Sequence, residues 1–234
     1  MKYVFRLPNA SEYDLTGMEN WLEEMALKGL YLKWYRPFLC CFTRGEPKRV
    51  RVRLEPNPRY TLEIQLSDEK KEFYRELGWS YACEIAHNAL VFYNEDPTAP
   101  ELHTDPTLLA DQTRTLIRRK KRDNCALGVV LALGAILQVW YISRYGIPTA
   151  HDLFSTVYLS LILLTGLFTL ILDRETLQKL KWMERNMEAG ITPERLPTSP
   201  QWRRRQRLRG VSQIVFFANI IFAPFLRLLF LHPN

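Results

Sequence analysis

The chain has 234 residues, of which 47% are hydrophobic and 24% charged, with a net charge of +7. These values exclude a disordered chain, a collagen-like chain and a disulfide-built miniprotein. They leave room for a membrane protein, because a mean hydropathy of −0.20 here averages a polar first half with an apolar second half. The charge divides in the same way. Residues 1–113 carry 14 Lys/Arg against 18 Asp/Glu, and residues 114–234 carry 18 against 7. On a folded soluble domain a pI near 9.3 would point to nucleic acid. Here the basic residues flank apolar runs, so no direct nucleic-acid partner is expected.

In chain order, residues 2–7 read as a strand. Ser11 can cap the helix that follows, with Asp14 three residues on. Leu15, Met18, Trp21, Leu22 and Met25 recur at helical spacing, and Gly29 closes the helix. Residues 30–35 and 39–43 read as strands, followed by a turn at Gly45-Glu46-Pro47. The pattern then restarts. Residues 50–54 alternate strictly, and residues 60–66 form another strand or the approach to a helix. Ser67 caps a helix over 68–77, and Gly78 closes it. Residues 79–85 and 89–93 make a hairpin about His87-Asn88. The prediction is an α+β domain over residues 1–100, a βαββ unit used twice. It would form one mostly antiparallel sheet with both helices on one face.

Residues 101–124 read as a Pro-containing linker and a basic juxtamembrane helix. Three apolar runs follow, at 125–143, 153–172 and 211–231, separated by a basic loop over 173–210 that carries an amphipathic stretch. A span needs about 20 apolar residues, so an all-α region of three transmembrane helices is expected. The third run contains Asn219, Pro224 and Arg227. The N-terminal segment lacks the apolar core of a secretory signal, and Lys/Arg excess marks cytoplasmic segments. The expected location is therefore a bacterial cell membrane, multi-pass, with the N-terminus cytoplasmic and the C-terminus outside. The amphipathic face Leu177, Leu180, Met183 and Met187 would lie on the membrane or pack on the soluble domain.

Chemistry-bearing motifs are absent. There is no phosphate-binding glycine loop, zinc-binding helix or nucleophile elbow. Cys40, Cys41, Cys83 and Cys125 have no metal-like spacing with the four histidines. Adjacent acids such as Glu23-Glu24 read as a solvated helix face. No enzyme, cofactor or metal is expected. Two sets of basic residues remain as contact candidates. Lys2, Arg6, Arg49, Arg51 and Arg53 alternate with apolar residues, which would turn Val50, Val52 and Leu54, and likewise Tyr3, Phe5 and Leu7, toward the helices. That leaves the basic residues on an open sheet face, for an acidic protein surface or lipid head groups, unless acids such as Glu63 and Glu84 neutralise them. Arg118, Arg119, Lys120, Lys121, Arg122, Arg203, Arg204, Arg205, Arg207 and Arg209 are candidates for anionic lipid, or set topology alone.

Two motifs carry a family resemblance. The helix end Trp21-Leu22-Glu23-Glu24-Met25-Ala26-Leu27-Lys28-Gly29 runs into an aromatic strand, and Glu76-Leu77-Gly78-Trp79-Ser80-Tyr81 repeats the junction. With the apolar region behind them, they resemble the bacterial family called domain of unknown function 2812, over roughly residues 1–120. The resemblance implies a cytoplasmic domain of uncharacterised role on a membrane anchor. It also implies a link to PadR-like transcriptional regulators, beside which similar proteins often sit. The expected function is a regulatory or sensory interaction module at the cytoplasmic face of the membrane, with lipids and a protein partner. The alternative is an accessory subunit of a transport or envelope complex.

Overall fold

A computed structural model describes residues 3–36, 39–56, 68–86, 88–102, 106–146, 150–190 and 199–231, with backbone alone for 68–70, 106, 108, 150–155 and 222–231. The expected features at Lys2, residues 60–66, Glu63, Ser67 and His87 lie outside the described residues. The elements are β1 (Tyr3–Arg6), α1 (Leu15–Ala26), β2 (Leu30–Arg36), β3 (Leu39–Arg44), β4 (Arg51–Pro56), α2 (Asp68–Glu76), β5 (Ser80–Ile85), β6 (Ala89–Asn94), α3 (Pro106–Tyr145), α4 (Ala150–Glu188) and α5 (Pro200–Leu231).

The repeated strand–helix–strand–strand order is present, but it builds two sheets instead of the one expected. Both are antiparallel and three-stranded, with orders β1-β3-β2 and β4-β6-β5. Each half thus places its third strand in the middle. The register shifts at equivalent places, between Leu32 and Trp34 in β2 and between Tyr81 and Cys83 in β5. A bulge on each of these strands twists it and breaks its ladder. β2 lies against β5, and the Leu32 N–H donates to the Tyr93 hydroxyl at 3.2 Å. Gly29 and Gly78 end their helices with φ of +69° and +82°, a conformation glycine adopts without strain.

The helices also depart from the expected single face. α1 puts Met18, Trp21, Leu22 and Met25 into the main core with Leu32, Phe42, Val52, Leu54, Ile85 and Val91. Trp21 meets Phe42 edge-on, ring centroids 5.5 Å apart. The alternate residues of β6, Leu90 and Phe92, join a second cluster with Tyr74 of α2 and Trp79. Since successive strand residues point to opposite faces, the two helices take opposite faces of the second sheet. α1 also seals the edge of β4. Its Glu23 carboxylate accepts the Val52 N–H, and Glu19 accepts the Leu54 N–H, both at 2.8 Å. Glu23 therefore serves the backbone instead of lying on a solvated face.

On β1 the expected alternation is inverted. Val4 packs against the core, while Tyr3, Phe5 and Leu7 are exposed. Val4 shares a cross-strand row with Phe42 and Leu32, and Phe5 shares one with Cys41 and Trp34. The outer face holds its aromatics by lateral contact: Phe5 sits 6.1 Å from Trp34, and Lys33 lies 4.5 Å from the Tyr3 ring centre.

The chain forms two compact units, residues 1–120 with 176–207 and residues 121–175 with 208–234. In the first, α3 contributes Leu116 and Ile117, and α4 contributes Leu180, to the main core. Met183 and Met187 close on Ala110. The amphipathic face of 177–187 thus packs on protein. It is not a separate helix, because nothing in residues 173–176 (Asp-Arg-Glu-Thr) breaks the one that precedes it, and α4 runs unbroken for 39 residues. α3 is likewise unbroken for 40 residues, taking in the juxtamembrane segment and the first apolar run.

In the second unit, Gln138 donates to Ser160 Oγ at 2.8 Å and to the Thr156 carbonyl at 3.2 Å. The Thr169 and Ser212 hydroxyls meet at 2.8 Å. A Cβ on Gly166 would fall 2.5 Å from a Leu131 methyl, so three helices approach closely there. Small residues and side-chain hydrogen bonds of this kind hold helices together in lipid. Among the described residues two helices, and not the three expected, are long and apolar enough to cross a membrane. Their candidate stretches are Leu109–Tyr145 and Thr156–Glu188. The run at 211–231 lies in α5. The turns before Val211 carry Arg203, Arg204, Arg205, Arg207 and Arg209.

Candidate functional site

The first unit has a polar centre at Asp14, where α1 begins. The helix starts there and not at Ser11, whose carbonyl accepts the Asp14 N–H at 2.9 Å and whose hydroxyl accepts the Tyr13 N–H at 3.2 Å. The Asp14 carboxylate caps the helix by accepting the Gly17 N–H at 3.2 Å. A Cβ at position 17 would lie 2.2 Å from that carboxylate, so the glycine makes room for it. The side chain is 1% exposed, and two further donors reach it. Lys179 Nζ of α4 lies 2.6 Å from Oδ1. Trp202 Nε1 of α5 lies 2.6 Å from Oδ2. The Lys179 ammonium also stands 5.0 Å from the centre of the Trp202 ring, within cation–π range.

One buried carboxylate thereby ties the start of α1 to two later helices. A buried charge is tolerable only when paired and hydrogen-bonded, and here four groups are satisfied together. Neighbouring contacts reinforce the tie. Arg203 pairs with Glu24 at 2.5 Å, and Arg207 donates to the Asn9 side chain at 2.5 Å. Lys120 stands 4.9 Å from the Tyr13 ring centre. Arg114 of α3 bridges Glu184 and Glu188 of α4. The arrangement couples elements of the first unit. Among the described residues no group of His, Cys, Asp and Glu could hold a metal ion. Burial pushes the Cys83 thiol up to about 12, aided by Glu84, and pushes the Cys40 thiol higher still. Both stay protonated and unreactive at neutral pH.

The basic residues picked from the sequence divide among several places. Arg118, Lys121, Arg122, Arg204 and Arg205 are exposed, whereas Arg119 and Lys120 are buried. Arg203 and Arg207 dock on the α+β domain, as above. Arg209 is buried in an ion pair with Asp173 within the second unit. Arg6 and Arg49 are exposed. Arg51 and Arg53 converge on Glu101, in the segment after β6. The sequence reading did not single out Asp14, Lys179, Trp202 or Glu101 as site residues. The one local signal was the Asp14-Leu15-Thr16-Gly17 start, in which an acid capping a helix is followed by a glycine at the third helical position.

Residues 14–122 match a family model described as protein of unknown function (DUF2812). This stretch belongs to the DUF2812 family. The DUF2812 region opens on Asp14 itself and closes within α3, after the basic cluster. Lys179 and Trp202, which hold Asp14, lie beyond it. No curated protein and no solved structure matches the chain.

Proposed function

We propose that this protein is a membrane-anchored regulatory or sensory module. Its DUF2812 domain would meet a partner at the cytoplasmic face and pass the event to the membrane helices through Asp14. The observation that carries this reading is the shared core of the first unit. Residues 1–120 and 176–207 pack together, with Leu116, Ile117 and Leu180 beside the strands and Lys179 and Trp202 on Asp14. Segments on either side of an apolar helical hairpin can share a core only if both lie on one side of the membrane. The basic residues of 114–122 and 203–209 favour the cytoplasmic side. An interaction that shifts α1 would then load α4 and α5 directly, through the donors held on the buried Asp14 carboxylate.

Two measurements test this. Single cysteines at Gly146 and Gly190, in a Cys-free background, are exposed to an impermeant maleimide. Labelling of 146 from outside the cell, and of 190 only after permeabilisation, is expected. The same side for both sites overturns the hairpin. Photo-crosslinkers on the DUF2812 domain in intact cells then capture partners. A cytoplasmic regulator is the expected product. Capture of transport or envelope subunits alone would replace regulation with an accessory role.

A further inference from the structure

The segment after β6 crosses the outer face of the second sheet as a strap with a turn at Pro97-Thr98, where the Ala99 N–H donates to the Asp96 carbonyl at 3.4 Å. It starts with a side-chain turn, in which Asn94 Oδ1 accepts the Asp96 N–H at 2.7 Å. Asp96 in turn accepts the Thr98 N–H at 2.8 Å. Arg51 then reads the strap backbone, donating to the Pro97 carbonyl at 3.3 Å and the Ala99 carbonyl at 2.6 Å. Trp79 Nε1 donates to the Pro100 carbonyl at 2.9 Å. The Glu101 carboxylate receives Arg51 Nη2 and Arg53 Nε, each at 2.5 Å, together with Arg53 Nη2. Leu102 packs into the cluster of Tyr74, Trp79, Leu90 and Phe92. The guanidinium carbons of Arg51 and Arg53 lie 5.3 and 6.0 Å from the Trp79 ring centre, which keeps both forks in place.

These contacts have the parts of a peptide-recognition site. Carbonyls of a turn and of the chain leaving it are read by side chains, a carboxylate is gripped by two arginines, and an apolar side chain anchors the next position. Among the described residues after β6 the strap forms no helix or strand of its own. Asp96 of the same strap also lies in the field of Arg51, so two acids face the two guanidinium groups and the site is matched to an acidic segment.

We propose that residues 94–102 are the intramolecular occupant of a peptide site on the second sheet. In the site's working cycle an acidic segment of a partner protein, with the pattern proline–acid–aliphatic following a turn, exchanges with them. The strap competes from a high effective concentration because it is tethered, so the site is closed until a partner supplies more contacts. Exchange frees the segment that leads directly into α3. The inference deepens the reading above by naming the partner's chemistry, and it rests on that reading only for the consequence in the membrane.

The test uses the full-length protein in nanodiscs and a fluorescein-labelled peptide of residues 94–102, followed by anisotropy. E101Q removes the competitor's charge and should bind the peptide at least tenfold more tightly than the parent protein. Adding R53A to E101Q should reverse the gain, as should replacing the acid of the peptide with Gln. Equal binding by E101Q and the parent, or a gain indifferent to Arg53, overturns the proposal. Should E101Q fail to fold, limited proteolysis of the strap in the parent protein decides. Faster cleavage with added peptide supports exchange, and an unchanged rate overturns it. Peptide binding that leaves a D14C–K179C cross-link unchanged would keep the site but remove its coupling to the helices.

Discussion

The two βαββ halves share a topology and use it differently. β1-α1-β2-β3 and β4-α2-β5-β6 have the same strand order, a bulge on the corresponding strand, and a left-handed glycine at the helix end. In the first half the helix is buried. α1 fills the core, caps itself with Asp14 and ties to α4 and α5. In the second half α2 contributes Tyr74 to a small satellite cluster and leaves Phe73 exposed. That cluster is finished by the strap. One repeat unit is thus committed to the helices behind it, and its copy presents a face that a short peptide covers. A duplicated fold can divide anchoring and recognition between its copies because each copy buries only one of its sheet faces in the common core.

Exchanging helix for helix should give the largest contrast. Trp21→Ala should destabilise the first unit by about 3–5 kcal/mol, as large aromatic truncations in cores do. Phe73→Ala should change it by about 0.5 kcal/mol or less. Denaturant unfolding followed by circular dichroism measures both, and equal losses would erase the distinction between the halves. Asp14→Ala comes next. It removes a helix cap and strands the Lys179 ammonium, which is partly solvated, so about 2–3 kcal/mol is expected. The same change should loosen α4 and α5 in hydrogen exchange while leaving the strap protected. Uniform loosening would mean that Asp14 serves general stability only.

The two helix-ending glycines give a finer comparison. An alanine at either must adopt a left-handed backbone, at a cost of about 1–2 kcal/mol. At Gly29 its Cβ would also stand 2.4 Å from the Gly45 carbonyl oxygen, whereas at Gly78 the neighbour is the Asn94 side chain at 3.1 Å. G29A should therefore lower the unfolding midpoint clearly more than G78A. The smallest effect concerns pH. Burial pushes the Glu101 carboxyl up, but the hydrogen bonds and charges of Arg53 and Arg51 outweigh it and hold the group below its ordinary range. A depressed carboxylate contributes stability that is full above the free value and is lost as pH falls through the bound one. A spin label at Thr98 should stay immobile from neutral pH through the ordinary carboxylate range and gain mobility only below it. Release at higher pH would mean that the arginines do not hold the strap.

Much of the α+β domain was legible because its signals are local. Period-two alternation marked β4, three- and four-residue spacing marked α1, and Gly29 and Gly78 marked the helix ends. What failed depends on contacts distant in sequence. On β1 both faces carry large side chains, so alternation could not say whether Val4 or Phe5 enters the core. Ser11 and Asp14 are both good caps, and the choice is decided by Lys179 and Trp202, more than 160 residues away. Glu23 looks solvated until β4 is laid beside it. Arg51 and Arg53 were legible as a pair seeking an anion, but Glu101 was hidden in a proline-spaced stretch that reads as linker. Charge marked the ends of the apolar runs but not the ends of the helices, since α3 and α4 pass through their charged stretches without a break.

The carboxylates of Glu19 and Glu23 on β4 have a consequence for how copies of this protein behave when crowded. An outer strand ordinarily displays a row of unmet N–H groups, an invitation to any extended chain and a common origin of aggregates. Here the outward N–H groups of Val52 and Leu54 are already filled by two acids anchored on a buried helix. A foreign strand would have to evict both charged acceptors to zip onto that margin, and it would gain only neutral bonds in exchange. The sheet is closed to growth at that border by chemistry, without needing a further strand or a barrel to close it.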